Sequence, residues 1–156
     1  MTPAELFDRH RVVGLDSNVF IYLFEGQGPL ADAAQAVIDG IDDGAARGVI
    51  ATIGLTEVLS RPASLGDGAM FERYVEELGS ISGLRIVALD PETAVDAAWG
   101  RSGGRDLGDA VHVATARRAG ATALLTNDRR IRGRSGIEIV LLSDIDVPDA
   151  SGEPKS

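Results

Sequence analysis

Five short runs of apolar, largely β-branched residues recur along the chain, and their spacing constrains the fold more than any other feature. They are Val12 to Leu15, Val49 to Thr52, Leu84 to Leu89, "TALLT" (122–126) and "IEIVLL" (137–142). Runs of this length and composition predict buried strands. Because helical patterns separate them, the strands must be joined by crossovers in a mainly parallel sheet. We therefore predict a single-domain α/β fold, a five-stranded sheet with helices on both faces.

Capping and stop signals predict where some helices begin and end. Asn18 is an N-cap candidate for the helix that follows the first strand, and "GLTEVLSRP" predicts a short helix that stops near Pro62. From Ser143 onward the sequence is polar, contains two prolines and lacks periodicity. We therefore predict a folded domain over 1–142 and a flexible C-terminal tail over 143–156.

Composition excludes several classes of protein. The chain has no cysteine, so it can form neither a disulfide framework nor a cysteine-ligated zinc site. Its two histidines, His10 and His112, are far apart in sequence. No segment approaches the roughly 18 to 20 apolar residues of a membrane span, and "MTPAELFDRHR" does not have the pattern of a secretory signal. The expected location is the cytoplasm, with no membrane partner.

Four acidic residues are placed by this fold at one edge of the sheet. Asp16 follows the first strand and Asp128 follows the fourth, while Glu57 lies about one turn into the helix after the second strand. Asp109 lies in the first turn of the helix that leads into the fourth strand. Such a helix starts at the carboxyl end of a parallel sheet, which is also where ligands bind. All four carboxylates can therefore converge.

Each acid also has a purely structural interpretation. Asp16 can cap a helix through backbone amides, and Asp109 favours the positive end of a helix dipole. Glu57 can be a solvated helix residue, and Asp128 belongs to a sequence typical of turns. The coincidence favours a site, because crowded carboxylates repel one another unless protons or cations neutralise them. Oxygen-only ligands suit Mg²⁺ or Mn²⁺.

The basic residues are distributed unevenly. The net charge is −9, but the segment from Trp99 to Arg134 contains eight arginines and three acids and so carries +5. Fourteen of the fifteen basic residues are arginine, the better bidentate clamp for phosphate. A GC-rich coding sequence would also favour arginine over lysine, so both explanations stay open.

Three segments, "VVGLDSNVFIYLFEG", "TEVLSRP" and "DAVHVATARRAGATALLTND", resemble the signature segments of PIN-domain ribonucleases. The length most resembles the VapC-type toxins of bacterial toxin–antitoxin pairs, and the resemblance spans about residues 11 to 142. It implies a five-stranded parallel sheet and Mg²⁺- or Mn²⁺-dependent endonucleolytic cleavage of RNA. The implied metal-binding and catalytic residues are Asp16, Glu57, Asp109 and Asp128, with Asn18 and Thr126 as supporting polar residues.

The resemblance also implies partners. They are an RNA substrate, a second copy of the chain in a homodimer, and a cognate antitoxin that inserts into the active-site groove. The candidate contacts to RNA phosphates are Arg101, Arg105, Arg129 and Arg130.

Two residues near the predicted edge have alternative interpretations. His112 lies one turn after Asp109 and is either a catalytic base or, as we favour, a helix residue that packs near the edge. Asp106 resembles a helix cap and is kept only as an outer-shell residue.

Two other functions compete with the nuclease hypothesis. An aspartyl phosphotransferase would use Asp16 as its nucleophile, but the residue two positions later is Asn18 and the only lysine is Lys155, in the predicted tail. A non-catalytic PIN-like binding module would use the same fold for partner contacts. The complete set of four acids argues against that module.

Overall fold

The computed structural model describes residues 1–148, which form one α/β domain. The helices are α1 (Pro3–Arg9), α2 (Ser17–Glu25), α3 (Pro29–Asp42), α4 (Thr52–Ser64), α5 (Gly68–Ser80), α6 (Pro91–Gly100) and α7 (Leu107–Arg118). The strands are β1 (Val12–Leu15), β2 (Arg47–Ala51), β3 (Leu84–Val87), β4 (Ala123–Thr126) and β5 (Glu138–Leu141). A 3₁₀ turn, Leu142–Asp144, follows β5.

The sheet has the strand order β3-β2-β1-β4-β5, and its four pairings are all parallel. The chain therefore starts at the centre with β1, proceeds outward to β3 and returns to place β4 on the other side of β1. Strand order reverses between β1 and β4, the point at which open α/β sheets bind ligands. The predicted fold class is confirmed.

Alternate residues of the central strands face opposite layers of the core, as the two-residue repeat of a strand requires. Val13 and Leu15 join the larger hydrophobic cluster, which also contains buried residues of α1, α2 and α3. Gly14, between them, faces α7. Helices therefore cover both faces of the sheet, and α7 lies directly against the central strand.

Three local predictions need correction. The N-cap of α2 is Asp16 rather than Asn18, because the Asp16 carboxylate accepts the Ser17 amide. Helix α4 continues past Pro62 to Ser64, since a proline in the last turn removes only one amide donor there. Helix α1 was not predicted, although its capping box, in which Thr2 and Glu5 exchange hydrogen bonds, is a sequence signal.

The first residues of the predicted tail contact the domain. Ile145 is buried, and the Asp146 carboxylate lies 2.6 Å from the ammonium nitrogen of Met1. Residues 149–156 lie outside the described part of the chain, so the flexible tail stays a prediction. Within residues 1–148, each helix is too short or too polar to cross a bilayer.

Gly14 gives a test of the packing between β1 and α7. A Cβ atom at this position would lie 2.5 Å from the Ala116 Cβ and 3.0 Å from the Leu124 Cδ1. We expect Gly14→Ala to lower the free energy of unfolding by about 1–3 kcal/mol, the usual cost of overpacking a core. Urea unfolding followed by circular dichroism measures this change.

The matched control is Gly79→Ala in α5, where an added Cβ meets nothing within 4 Å. Alanine is the better helix former, so the control should unfold at the same or higher urea concentration. Equal stability of Gly14→Ala and wild type would contradict the close approach of α7 to β1.

Candidate functional site

The structure brings the four predicted acids together at the carboxyl edge of the sheet. Asp16 directly follows β1, Asp128 lies two residues beyond β4, and Asp109 is in the first turn of α7. Glu57, in α4, reaches this edge because its carboxylate accepts a hydrogen bond from a histidine that also lies beside Asp16. We call Asp16, Glu57, Asp109 and Asp128 the acidic rim.

Asp16 is the most buried and most constrained member of the acidic rim. Its side chain is 7% exposed, and one carboxylate oxygen accepts the Ser17 amide at 2.8 Å. The other oxygen accepts the Thr126 hydroxyl at 2.7 Å and the Asn18 side-chain amide at 2.9 Å. The structural interpretation of Asp16 as a helix cap is confirmed, and the same carboxylate is fixed in position at the rim.

Asn18 and Thr126 connect the two acids that follow the central strands. The Asn18 side-chain oxygen accepts the Asn127 amide at 3.1 Å, and the Thr126 hydroxyl oxygen accepts the Asp128 amide at 3.0 Å. Thr126 is fully buried. The turn that carries Asp128 is thus tied to the carboxylate of Asp16, which is a supporting role of the kind predicted for both residues.

His112 lies close to two acids of the rim, which the sequence did not indicate. It is 2% exposed, and its Nε2 lies 2.7 Å from a Glu57 carboxylate oxygen and 3.5 Å from one of Asp16. Burial acts to lower the pKa of His112, but the Glu57 hydrogen bond and the charges of Asp16, Glu57 and Asp109 outweigh it, so the pKa is raised. The three-residue spacing from Asp109 on one helix was the available signal, because it places both side chains on one face.

Asp109 shows the electrostatic strain of the rim most clearly. Burial, followed by the negative charges of Asp106, Asp16 and Asp128, raises the pKa of Asp109 to about 6. Asp106 itself is the N-cap of α7, as its sequence position suggested. A carboxylate whose charge is opposed by its neighbours would be stabilised by an added cation.

Asp128 is neutralised within the chain. The Arg130 Nε and Nη2 lie 2.9 Å and 2.8 Å from its two carboxylate oxygens, and the Arg130 backbone amide also donates to it at 2.9 Å. The side-chain hydrogen bond from Arg130 is the main reason that the pKa of Asp128 is lowered. The fourth acid therefore has a chelated counter-ion in this structure, a contact that the sequence analysis missed.

Beside the rim is a cleft of about 320 Å³, which we call the arginine cleft. Its charged lining comprises Arg105, Arg130, Arg132, Arg134, Asp106 and Asp109. Two of the four predicted phosphate contacts therefore lie in its wall, whereas Arg101 and Arg129 are exposed outside it. Arg101 is also close by, since its Nε donates to the carbonyl of Arg105.

The donor set of the rim suits a hard divalent cation, because it consists of carboxylate oxygens with no sulfur ligand. Within residues 1–148, however, no group of three or more His, Asp or Glu side chains is arranged as a metal site. The contacts explain this arrangement in part, because Glu57 is directed to His112 and Asp128 to Arg130. Metal binding would require those carboxylates to turn.

The raised pKa of Asp109 predicts a pH-dependent stability. The unfolded carboxyl loses its proton near pH 3.8 and the folded one near 6, so stability in EDTA falls as the pH rises through that interval. Asp109→Asn removes the repulsion, and we expect it to raise the unfolding free energy at pH 7.5 by on the order of 1 kcal/mol, allowing for solvent screening. At pH 4 the gain should be much smaller.

Urea unfolding in EDTA at both pH values measures this effect, with Asp8→Asn on the exposed side of α1 as the control for loss of one charge. A lower stability of Asp109→Asn than wild type at pH 7.5 would contradict the repulsion, since it would show that the ionised carboxylate is held by favourable partners.

Comparisons with known proteins identify the fold and the family of the chain. Three solved structures share the fold, and the first is a toxin–antitoxin complex from Klebsiella pneumoniae with 20% sequence identity and a TM-score of 0.62, covering 81% of this chain and 95% of that one. VapBC2 from Rickettsia felis bound to a promoter DNA fragment has 14% identity and a TM-score of 0.65, covering 83% of this chain and 98% of that one. DNA-bound VapBC from Salmonella typhimurium has 21% identity and a TM-score of 0.58, covering 83% of this chain and 97% of that one. No curated protein matches the chain in sequence. The PIN domain model matches residues 13–136, most of the chain and all four acids of the rim. The chain therefore belongs to the PIN domain family.

Proposed function

We propose that this PIN domain is a Mg²⁺- or Mn²⁺-dependent endoribonuclease whose metal ligands and catalytic residues are Asp16, Glu57, Asp109 and Asp128. The observation that carries the proposal is the convergence of these acids, from four separate segments, on the edge where strand order reverses. Membership of the PIN domain family supports a nuclease, and the crowding that raises the pKa of Asp109 supports a bound cation.

The residues of the rim have different tasks in this proposal. Asp16 is held rigidly by Thr126 and Asn18, so it would fix the position of the site relative to β1 and β4. A bound cation would offset the repulsion between Asp109 and its acidic neighbours, and Asp109 would then release any proton it holds. A bound Mg²⁺ or Mn²⁺ supplies a more acidic water and stabilises charge on the leaving oxygen.

The RNA backbone would be held by the arginines around the site. Arg105 and Arg130 line the arginine cleft next to Asp109, and Arg101 and Arg129 extend the basic surface from its margin. Phosphate contacts of this type position the strand without reading its sequence. A chain with a net charge of −9 can bind RNA in this way because its positive charges lie beside its catalytic carboxylates.

We further propose that the nuclease is the toxin of a toxin–antitoxin pair, acting as a homodimer and inhibited by a cognate antitoxin. The support is the similarity in fold to three solved toxin–antitoxin and VapBC complexes. Apolar side chains exposed on α6 also favour a protein contact there. Val95 is 63% and Trp99 75% exposed, and their spacing of four residues places them on one face of the helix.

The phosphotransferase hypothesis gains no support from the geometry. A lysine is expected beside the nucleophile, but the single lysine of the chain is Lys155, far in sequence from Asp16. The residue two positions after it, Asn18, donates its amide to Asp16 rather than offering a second acid.

Cleavage of a structured RNA pool tests the nuclease proposal. We expect wild type to cut in Mg²⁺ or Mn²⁺ and not in EDTA, and Asp16→Asn to lower the rate by about 100-fold or more because a ligand charge is lost. Asparagine is an equally good helix cap, but its amide nitrogen cannot accept the bonds from Asn18 and Thr126, so circular dichroism and urea unfolding must verify that the variant is folded. The control Asp8→Asn removes a charge from α1 and should cut like wild type.

A folded wild-type protein that leaves the RNA intact in both metals would contradict the nuclease proposal and favour the non-catalytic binding module. Equal cutting by wild type and Asp16→Asn would instead show that the activity arises elsewhere or from a contaminant.

The toxin proposal predicts that induced expression in a bacterial host arrests growth. Asp16→Asn should abolish the arrest at equal protein level, since the rim is the source of toxicity, whereas Asp8→Asn should preserve it. Growth curves with immunoblots measure both. Normal growth during expression of a protein that cuts RNA in the test tube would contradict a toxin and favour a housekeeping nuclease.

A further inference from the structure

We propose that Arg130 is a positioning residue that alternates between two anions: it holds the Asp128 carboxylate when no metal is bound, and it moves to an RNA phosphate when a cation takes that carboxylate. This inference rests on the proposed function and adds a named role for one arginine in ordering metal and substrate binding. Among the arginines of residues 1–148, Arg130 is the one paired with an acid of the rim.

The contact has the geometry of a chelate. Two guanidinium nitrogens of Arg130 each donate to a different oxygen of Asp128, at 2.9 Å and 2.8 Å. Planar bidentate pairs of this kind occupy both oxygens of a carboxylate. A metal ion that uses Asp128 therefore has to compete with Arg130 for the same atoms.

The pair is also easily broken. The Arg130 side chain is 88% exposed, and the contact joins residues only two apart in a surface turn. Exposed ion pairs contribute little to stability, since water and salt screen both charges. The arginine can therefore leave Asp128 without disturbing the fold.

The turn does not depend on the arginine side chain. The Arg130 backbone amide donates to the Asp128 carboxylate at 2.9 Å, and the Ile131 amide donates to the Asp128 carbonyl at 3.2 Å. Both bonds would persist with another side chain at position 130. The side-chain chelate is thus an addition to a turn that is already closed.

Once released from Asp128, the Arg130 guanidinium would lie next to the arginine cleft. Arg130 lines the arginine cleft together with Arg105, Arg132 and Asp109, so it borders both the rim and the basic wall. Arg134, also in that wall, is held by the Asp96 carboxylate at 3.0 Å. Arg130 is therefore the cleft arginine that is placed to exchange a carboxylate of the site for a phosphate of the substrate.

Because Arg130 is proposed to bind both Asp128 and an RNA phosphate, replacing it should strengthen metal binding and weaken RNA binding. Arg130→Gln removes the competitor for Asp128, so Mn²⁺ affinity without RNA should rise, by about threefold to tenfold. The same change removes a phosphate contact that forms once a cation holds Asp128, so affinity for an RNA oligonucleotide in Ca²⁺ should fall by about twofold to tenfold and its salt dependence should weaken. In EDTA the loss should be smaller, because Arg130 then remains on Asp128. A residue with only a structural role would not strengthen metal binding when removed.

The measurements use the full chain. Mn²⁺ binding is followed by electron paramagnetic resonance of the free ion for wild type, Arg130→Gln, Arg130→Lys and Arg129→Gln. RNA binding by the same proteins is followed by fluorescence anisotropy in Ca²⁺ and in EDTA, with a gel to verify that the RNA stays intact. Arg129 forms no ion pair or hydrogen bond with residues 1–148 through its side chain, so its substitution controls for loss of one nearby charge in the metal experiment. Arg130→Lys keeps the charge but loses the bidentate fit, and its Mn²⁺ affinity should lie between those of wild type and Arg130→Gln.

Tighter Mn²⁺ binding by Arg130→Gln than by Arg129→Gln, together with weaker RNA binding than wild type, supports the inference. Equal Mn²⁺ affinities of those two variants, or unchanged RNA affinity in Arg130→Gln, overturns it. Asp16→Asn separates this failure from that of the proposed function: if wild type binds Mn²⁺ and Asp16→Asn does not, the metal site stands even when the role of Arg130 fails. If neither wild type nor Arg130→Gln binds Mn²⁺, both proposals fall.

Discussion

The buried carboxylate of Asp16 is the contact on which the arrangement of this site depends. It caps α2, accepts the hydroxyl of Thr126 from the end of β4, and accepts the side-chain amide of Asn18. A charge so far from water is tolerated only when each oxygen is hydrogen-bonded. The requirement to satisfy one carboxylate therefore fixes how β1, α2 and β4 meet, and with them the floor of the acidic rim.

Two of the other acids of the rim have close partners within the chain itself. His112 lies between Glu57 and Asp16 on the buried side, and Arg130 chelates Asp128 on the exposed side. Asp109, which lacks an equally close cation among residues 1–148, has its pKa raised to about 6. Asp109 is therefore the acid of the rim at which an added cation would relieve the most repulsion.

The sequence predicted those features that follow from periodicity and topology. Asp16, Asp109 and Asp128 were placed correctly because each adjoins the end of a buried strand or the start of a helix, and parallel strands bring such ends to one edge. The pairing of His112 with Glu57 was not predicted, since it joins α4 to α7 across 55 residues. The Arg130 chelate depends on rotamers in a turn, so the sequence indicated Arg130 as a candidate contact to RNA phosphates but not as the partner of Asp128.

The same topology explains how an acidic protein can present a basic cleft at its candidate site. The loop after α6 and the loop after β4 carry Arg105, Arg130 and Arg132, and both loops adjoin the carboxyl edge of the sheet. The excess negative charge lies in the rest of the chain. At physiological ionic strength the reach of exposed charges is only about 8 Å, so the distant acids weaken phosphate binding little. The net charge of −9 therefore does not oppose the proposed RNA substrate, because the charges near the cleft act on it most strongly.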